Sequence, residues 1–152
     1  MKKKIPQDTY CFIYENMNPK QKITGDCVIR ALARAMDKTW DDILTDLYNY
    51  SMKYKQMLDC PQLYSKYLKD QGWIKIKQPR KFDNTKYTGK EFCKELNEGT
   101  CLNVYGYEVT EWTDIIAHIG GHHTIAIIEG KIRDTWDSSD GCIGNIWIKN
   151  NR

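Results

Sequence analysis

Three residues, far apart in the chain, form a set that is able to carry out covalent acyl transfer. Cys27 begins a segment whose apolar residues recur at helical spacing. His123 begins the largely apolar run 123–128, and Asp134 follows that run after one short turn. In such a set the thiol is the nucleophile, the imidazole is its base and the carboxylate orients the imidazole. The sequence therefore predicts Cys27 as a nucleophile, His123 as its base and Asp134 as the orienting acid.

The position of Cys27 favours a reactive thiol. Thr24, Gly25 and Asp26 precede it and are typical of a helix start. Only the thiolate is nucleophilic, and the ordinary thiol pKa of about 8.5 leaves little of it at neutral pH. The positive end of a helix dipole, roughly half a unit charge, lowers the pKa of a thiol placed there. Asp26 opposes the thiolate, so we expect its side chain to cap the helix or to face solvent.

Neighbouring residues are alternatives for the base and the orienter. Adjacent residues of a strand point to opposite faces, so only one of His122 and His123 can face the start of the helix. Asp137 competes with Asp134 for the orienting role, and His118 is a third choice for the base. A cysteine taken alone is more often a small buried apolar residue. The prediction therefore rests on the order and the spacing of all three residue types together.

The composition indicates one ordinary globular domain, residues 1–152, with an irregular lead-in over residues 1–20. Apolar residues make up 41% and charged residues 28%, and the net charge of +3 is dispersed, which gives no case for a nucleic-acid partner. No apolar run approaches the roughly 18 residues of a membrane span. The basic Met1–Lys4 segment is not followed by the apolar core of a signal peptide. We therefore expect no membrane partner and a cytoplasmic location.

The cysteines indicate free thiols rather than disulfides or a metal site. No two of the six are spaced as Cys-x-x-Cys, and a chain of this size does not need crosslinks to fold. We therefore expect no structural metal and no cofactor. The six are Cys11, Cys27, Cys60, Cys93, Cys101 and Cys142.

Hydrophobic periodicity predicts helices first and a sheet later, which is an α+β arrangement. The predicted helices are one that starts at Thr24–Asp26 and includes Met36, then Trp40–Met52, Pro61–Asp70 and Gly89–Leu96. The predicted strands are Trp73–Lys77, Cys101–Tyr105, His123–Ile128, Lys131–Thr135 and Asn145–Lys149. Residues 10–14 are predicted as a short strand or a packed arm, and residues 106–119 as a connection with some helical character around 113–117.

The residues now named resemble motifs of the papain-like cysteine peptidases. Gln21 stands six positions before Cys27, and in that family the corresponding glutamine and the cysteine N–H form the oxyanion hole. The run that starts at His123 is similar to the histidine strand of the family. Asp134-Thr-Trp136 resembles its Asn-Ser-Trp motif, with Asp in place of Asn as in bacteriocin-processing cysteine peptidases. The resemblance implies N-terminal helices, with the cysteine at a helix start, packed on a C-terminal antiparallel sheet that carries the histidine and the acid.

The chain also resembles short phage and prophage proteins with matching Gly-Asp-Cys, Gly-His and Asp-Thr-Trp-Asp segments. These segments are Gly25–Ala31, Gly121–Ala126 and Asp134–Asp137, and the resemblance covers residues 21–48 and 99–137. It implies a thiol hydrolase that cleaves a peptide or isopeptide bond through an acyl-thioester on Cys27. A protein or peptide would be the substrate, and Trp136 would shield the bond between histidine and acid. The Cys-Gly-Ser-Cys-Trp surroundings of the plant and lysosomal enzymes are missing, so their substrate preferences do not transfer.

Three other functions are also compatible with these residues. A peptidoglycan amidase or endopeptidase of the NlpC or CHAP kind also has its cysteine before its histidine. A transglutaminase-like acyl transferase has the same triad and differs in passing the acyl group to an amine rather than to water. The third is a catalytically silent phage protein that binds a host factor. The joint presence of Gln21, Cys27, His123 and Asp134 favours an enzyme, and the oligomeric state is left open.

Overall fold

The structure, a computed structural model, describes residues 4–149. Within that range the chain forms four helices and eight strands. The helices are α1 (Cys27–Met36), α2 (Trp40–Tyr54), α3 (Pro61–Asp70) and α4 (Gly89–Asn97). The strands are β1 (Phe12–Tyr14), β2 (Trp73–Ile76), β3 (Leu102–Val104), β4 (Tyr107–Val109), β5 (Ile115–Ile119), β6 (His123–Ile128), β7 (Lys131–Asp134) and β8 (Ile143–Lys149). Most of the basic segment at the N-terminus lies outside the described residues.

Six of the strands form one mostly antiparallel sheet in the order β1-β7-β6-β5-β8-β2, and β3 and β4 form a separate hairpin. The predicted α+β class is therefore confirmed. The sheet is not only C-terminal, as the sequence pattern suggested, because β1 and β2 come from earlier in the chain and form its two edges. β1 also pairs in parallel with β7, with Tyr14 opposite Asp134.

Helices cover both faces of the sheet. α1, α2 and α3 pack on one face, where Ala126, Ile128 and Trp147 are buried with the apolar side of α1. α4 packs on the other face with Ile125 and Ile127. Because each face is covered, the central strands are apolar on both sides and lose the alternation of a half-exposed strand.

This double burial explains one wrong prediction. The segment around 113–117 was expected to have helical character, but Ile115–Ile119 is strand β5 in the middle of the sheet. Ile115 and Ala117 face one core and Ile116 faces the other. A short continuous apolar run has no clear period, so its sequence alone does not separate a buried strand from a helix.

The helix that starts at Cys27 is observed where the sequence placed it. Leu32 and Ala33 are fully buried on its inner side, and α1 packs along β6. The carbonyl of Asp26 accepts the first helical bond from the N–H of Arg30 at 3.0 Å. The side chain of Asp26 makes no capping bond, so the N–H groups of the first turn have no cap from it. The packing of α1 along β6 therefore brings its positive end to the start of that strand.

Gly89, the first residue of α4, provides a test of how α4 packs against β5 and the backbone at Ser139. A Cβ on Gly89 would lie 2.9 Å from Cδ1 of Ile119 and 3.0 Å from Cα of Ser139. Because Ser139 presents backbone, the clash cannot be relieved cheaply. We expect Gly89→Ala to lower the free energy of unfolding by about 1–3 kcal/mol, measured by urea denaturation. Gly25→Ala is the control, since nothing lies within 4 Å of its Cβ position. Equal stabilities of the two variants would contradict the packing described.

Candidate active site

The structure brings the three residues of the predicted set together. His123, the first residue of β6, has its Nε2 2.5 Å from Oδ2 of Asp134, the last residue of β7. Cys27 lies in the first turn of α1, and its thiol interacts with the His123 side chain and with the backbone N–H of Thr124. Since Nε2 is taken by Asp134, Nδ1 is the ring nitrogen left for the thiol. The candidate nucleophile, base and orienting acid thus lie in series.

The pKa values of the thiol and the imidazole move in the directions that favour a charged pair. Burial raises the pKa of Cys27, but the interactions with His123 and the Thr124 N–H outweigh it and lower the pKa below that of an ordinary thiol. Burial also opposes a charge on His123, yet Asp134 and Cys27 raise its pKa to about 9. At neutral pH this arrangement favours a thiolate beside an imidazolium.

Asp134 is buried and fully engaged. Its exposed fraction is 2%, and its Oδ1 accepts a bond from Nη1 of Arg30 at 2.5 Å and from the N–H of Thr135 at 2.7 Å. Arg30 lies one turn after Cys27 on α1, so its guanidinium links the helix to the end of β7. Three groups therefore fix the carboxylate: two donors on one oxygen and the His123 ring on the other.

The sequence predicted that Asp26 caps α1 or faces solvent, and both expectations are wrong. The side chain is buried and makes no capping bond. Its Oδ1 accepts a bond from Nε of Arg30 at 2.8 Å. Its Oδ2 accepts bonds from Nε1 of Trp40 at 2.9 Å and from Nδ2 of Asn18 at 3.2 Å. Burial raises the pKa of the Asp26 carboxyl, but these donors outweigh it and lower the pKa. The Arg30 charge offsets the repulsion that Asp26 would otherwise exert on a Cys27 thiolate.

Trp136 lies on the ring of His123. The two ring centroids are 4.8 Å apart and the planes are inclined by 37°. Trp136 itself is 49% exposed, so it is not an ordinary core residue. The tryptophan ring thus lies against the histidine ring, while about half of the residue remains exposed.

Gln21, the predicted oxyanion donor, is not directed at the thiol. Its Nε2 donates to the carbonyl of Asn16 at 3.1 Å and to that of Asn18 at 2.9 Å. Its backbone has a φ of 56°, in the left-handed region, which turns the residue back onto the lead-in loop. Both amide N–H groups are thus used within residues 16–21. An oxyanion role for Gln21 requires these bonds to break.

The alternative residues lie nearby but in different settings. His122 is exposed and lines the cavity beside Cys27, while Asp134 is bonded to the ring of His123. Asp137 is exposed, and its Oδ1 accepts a bond from the N–H of Ser139 at 3.0 Å, so it caps a turn. His118 faces the same cavity from β5 and its Nε2 is bonded to the hydroxyl of Tyr64. The contacts favour His123 and Asp134 over these neighbours.

A cavity of about 320 Å³ opens beside the thiol. Its walls come from the start of α1, the start of α3 and the hairpin between β5 and β6. Lining residues that bear polar side chains are Cys27, Asp59, Tyr64, His118, His122 and Thr124. Gly25 and Gly121 leave room, since a Cβ on either would meet nothing within 4 Å. A substrate group can therefore approach the sulfur from this side.

Two residues of the site were not predicted. Arg30 is a charged residue among the apolar positions of α1, and a charge on the buried side of a helix indicates a buried partner. That signal was present in the sequence but did not identify the partner. Tyr64 was placed on the apolar face of the third helix, and nothing in its spacing indicates that it also lines the cavity beside Cys27.

Comparisons of the chain with models of protein families, with curated proteins and with solved structures found no match. Among residues 4–149, no group of three or more His, Cys, Asp and Glu side chains is placed to hold a metal ion. No helix within the same residues has the length and apolar character needed to cross a bilayer. The function proposed below therefore rests on the contacts within the site.

Because Arg30 is buried, its substitution is predicted to lower the stability of the protein strongly. Arg30→Met leaves the carboxylate of Asp26 buried without its cation and removes one of the two cationic partners of Asp134, and we expect a loss of about 3–5 kcal/mol in the free energy of unfolding. The matched control is Arg34→Met, one turn further along α1. Arg34 pairs with Glu15 at 2.8 Å, but both side chains are partly exposed, so the loss should be about 1 kcal/mol or less. Similar losses in urea denaturation of the two variants would contradict the role given to Arg30.

Proposed function

We propose that the protein is a thiol hydrolase of the papain-like kind that cleaves a peptide or isopeptide bond through an acyl-thioester on Cys27. The observation that carries the proposal is the bond of His123 to buried Asp134 beside a cysteine at the start of a helix. The helix-on-sheet arrangement, with the acid on the strand next to that of the histidine, supports the papain-like assignment. A protein or peptide is the proposed substrate.

The chemistry follows from the proton positions. The Cys27 thiolate attacks a carbonyl carbon and forms a C–S bond, while the carbonyl electron pair moves to the oxygen. When the carbonyl reforms, the C–N bond breaks and the His123 imidazolium gives its proton to the leaving amine. Water, deprotonated by His123, then attacks the thioester and releases the acid and the thiolate. Asp134 keeps the ring oriented and stabilises its positive charge in both steps.

Selective alkylation tests the nucleophile. At about pH 6, well below the ordinary thiol pKa of about 8.5, iodoacetamide should modify Cys27 faster than the other cysteines. The matched references are Cys101 and Cys142, which are free and exposed, whereas Cys27 is only half-exposed. Mass spectrometry of the modified peptides gives the separate rates. A Cys27 no faster than these two exposed residues would contradict the proposal.

The same measurement distinguishes the two histidines. His123→Ala should abolish the advantage of Cys27, because the imidazolium that lowers its pKa is removed. His122→Ala should preserve it, because Asp134 is bonded to the neighbouring ring. If His122→Ala removes the advantage and His123→Ala does not, the base is His122 and the assignment made here is wrong.

The role proposed for Asp134 predicts how the alkylation rate of Cys27 in the Asp134→Asn variant changes with pH. The carboxylate helps to raise the pKa of His123 to about 9, and the resulting imidazolium lowers the pKa of the thiol. Asp134→Asn should therefore slow the alkylation of Cys27 at about pH 6, where the thiolate depends on the imidazolium. It should leave the rate unchanged at about pH 10, above the ordinary thiol pKa. An equal loss of rate at both pH values would indicate distorted packing instead.

A further inference from the structure

An acyl transfer at Cys27 needs a hydrogen-bond donor for the carbonyl oxygen, which becomes negative when the thiolate attacks. The N–H of Cys27 at the uncapped start of α1 is one donor. The side-chain donor suggested by the sequence, Gln21, gives both amide N–H groups to the carbonyls of Asn16 and Asn18. With Gln21 bonded in this way, a side-chain donor is available only from another residue that lines the cavity.

Tyr64 lines that cavity, and its hydroxyl is bonded to a second lining residue, His118. Tyr64 lies in the first turns of α3, its side chain is 1% exposed, and it lines the cavity together with Cys27 and Thr124. Thr124 joins the two, because its backbone N–H interacts with the Cys27 thiol and its side chain interacts with the Tyr64 hydroxyl. Thr124 is thus a shared neighbour of Tyr64 and Cys27 on the wall of the same cavity.

His118 holds this phenol in place. Its Nε2 is bonded to the Tyr64 hydroxyl, and its ring packs edge-on against Trp147 with the centroids 4.8 Å apart. Burial and the charge of Lys75 lower the pKa of His118, so the ring is neutral at pH 7. In the tautomer protonated at Nε2, the ring donates to the tyrosine oxygen and leaves the phenolic proton free for another acceptor.

The phenol also keeps its proton. Burial, reinforced by the charge of Cys27 and partly offset by Thr124, raises the pKa of Tyr64 to about 12. A thiolate at Cys27 therefore coexists with a protonated tyrosine, and the tyrosine remains a donor throughout the reaction.

We propose that Tyr64 is the side-chain oxyanion donor of this site, acting with the Cys27 N–H, and that His118 is its positioning residue. The inference rests on the proposed thiol hydrolase function and adds a catalytic residue to it. In the step concerned, the C–S bond forms, the carbonyl pair moves to oxygen, and the Tyr64 O–H donates a hydrogen bond to that oxygen without losing its proton. The oxygen then returns the pair to carbon as the bond to the leaving group breaks.

Two reagents separate this role from the reactivity of the thiol. p-Nitrophenyl acetate acylates Cys27 through an oxyanion, whereas iodoacetamide alkylates it by displacement at a saturated carbon, with no oxyanion. Tyr64→Phe should slow acylation by about 100-fold and leave alkylation of Cys27 unchanged. Gln21→Ala should change neither rate. The control is Tyr67→Phe, which removes a hydroxyl from the same helix that is bonded to Asp46 instead; it should also change neither rate.

Three results would overturn the inference in distinguishable ways. If Tyr64→Phe leaves acylation unchanged while Gln21→Ala slows it, Gln21 is the donor and the hydrolase proposal survives. If Tyr64→Phe slows both reactions equally, the tyrosine only supports the structure around Cys27. If neither reagent modifies Cys27 in the unaltered protein, the proposed function itself fails and the inference fails with it.

Discussion

The burial of the Asp134 carboxylate between Arg30 and His123 is the interaction on which the site depends. An ionised carboxylate at 2% exposure is stable only when it is paired and hydrogen-bonded. Here one oxygen is bonded to the guanidinium and the other to the imidazole. The pairing fixes α1 to the ends of β6 and β7, so the same contacts that keep the charge buried also place Cys27 at His123.

The charges alternate along this connection. They run from Asp26 through Arg30 and Asp134 to His123 and, when it is ionised, to Cys27. Each charge has an opposite neighbour, which lowers the cost of burying the series. Arg30 therefore has two effects on the chemistry. It offsets the charge of Asp26, which precedes the thiol, and it donates to Oδ1 of Asp134, whose other oxygen is bonded to the His123 ring.

Much of the fold could be predicted because local patterns determine it. The start of α1 at Cys27 and the whole of α3 follow from apolar periodicity and, for α3, from Pro61 in its first turn. The run of β6 is rich in β-branched residues and ends at the Glu129-Gly130 turn, which made it recognisable as a strand without a period. β5 could not be assigned, because a strand buried on both faces has no period. The pairing of β1 with β7 was also outside the reach of the sequence, since it joins residues about 120 positions apart and depends on the packing of the whole sheet.

The residues of the site divide in the same way, into those that the sequence could identify and those that it could not. Residue types and order predicted that Cys27, His123 and Asp134 lie together, because the predicted chemistry restricts such a set to few types, and the structure places them at one site. The direction of a side chain depends on its neighbours, so Gln21 was expected at the thiol but is bonded to its own loop. Tyr64 is buried in the core, as its spacing predicts, but it also lines the cavity, which the spacing did not indicate. Arg30, as a charged residue on an apolar helix face, indicated a buried ion pair, but the sequence did not identify its partner.

The protonation of His123 tests the central claim most directly. Its ring nitrogens can be followed by NMR during a pH titration of the unaltered protein and of Cys27→Ser. The account predicts a ring that is protonated at neutral pH and deprotonates near the pKa of about 9 set by Asp134 and Cys27, and a lower pKa in the variant. A ring that deprotonates near the ordinary histidine value of about 6.5 and does not respond to Cys27→Ser would contradict the thiolate–imidazolium pair.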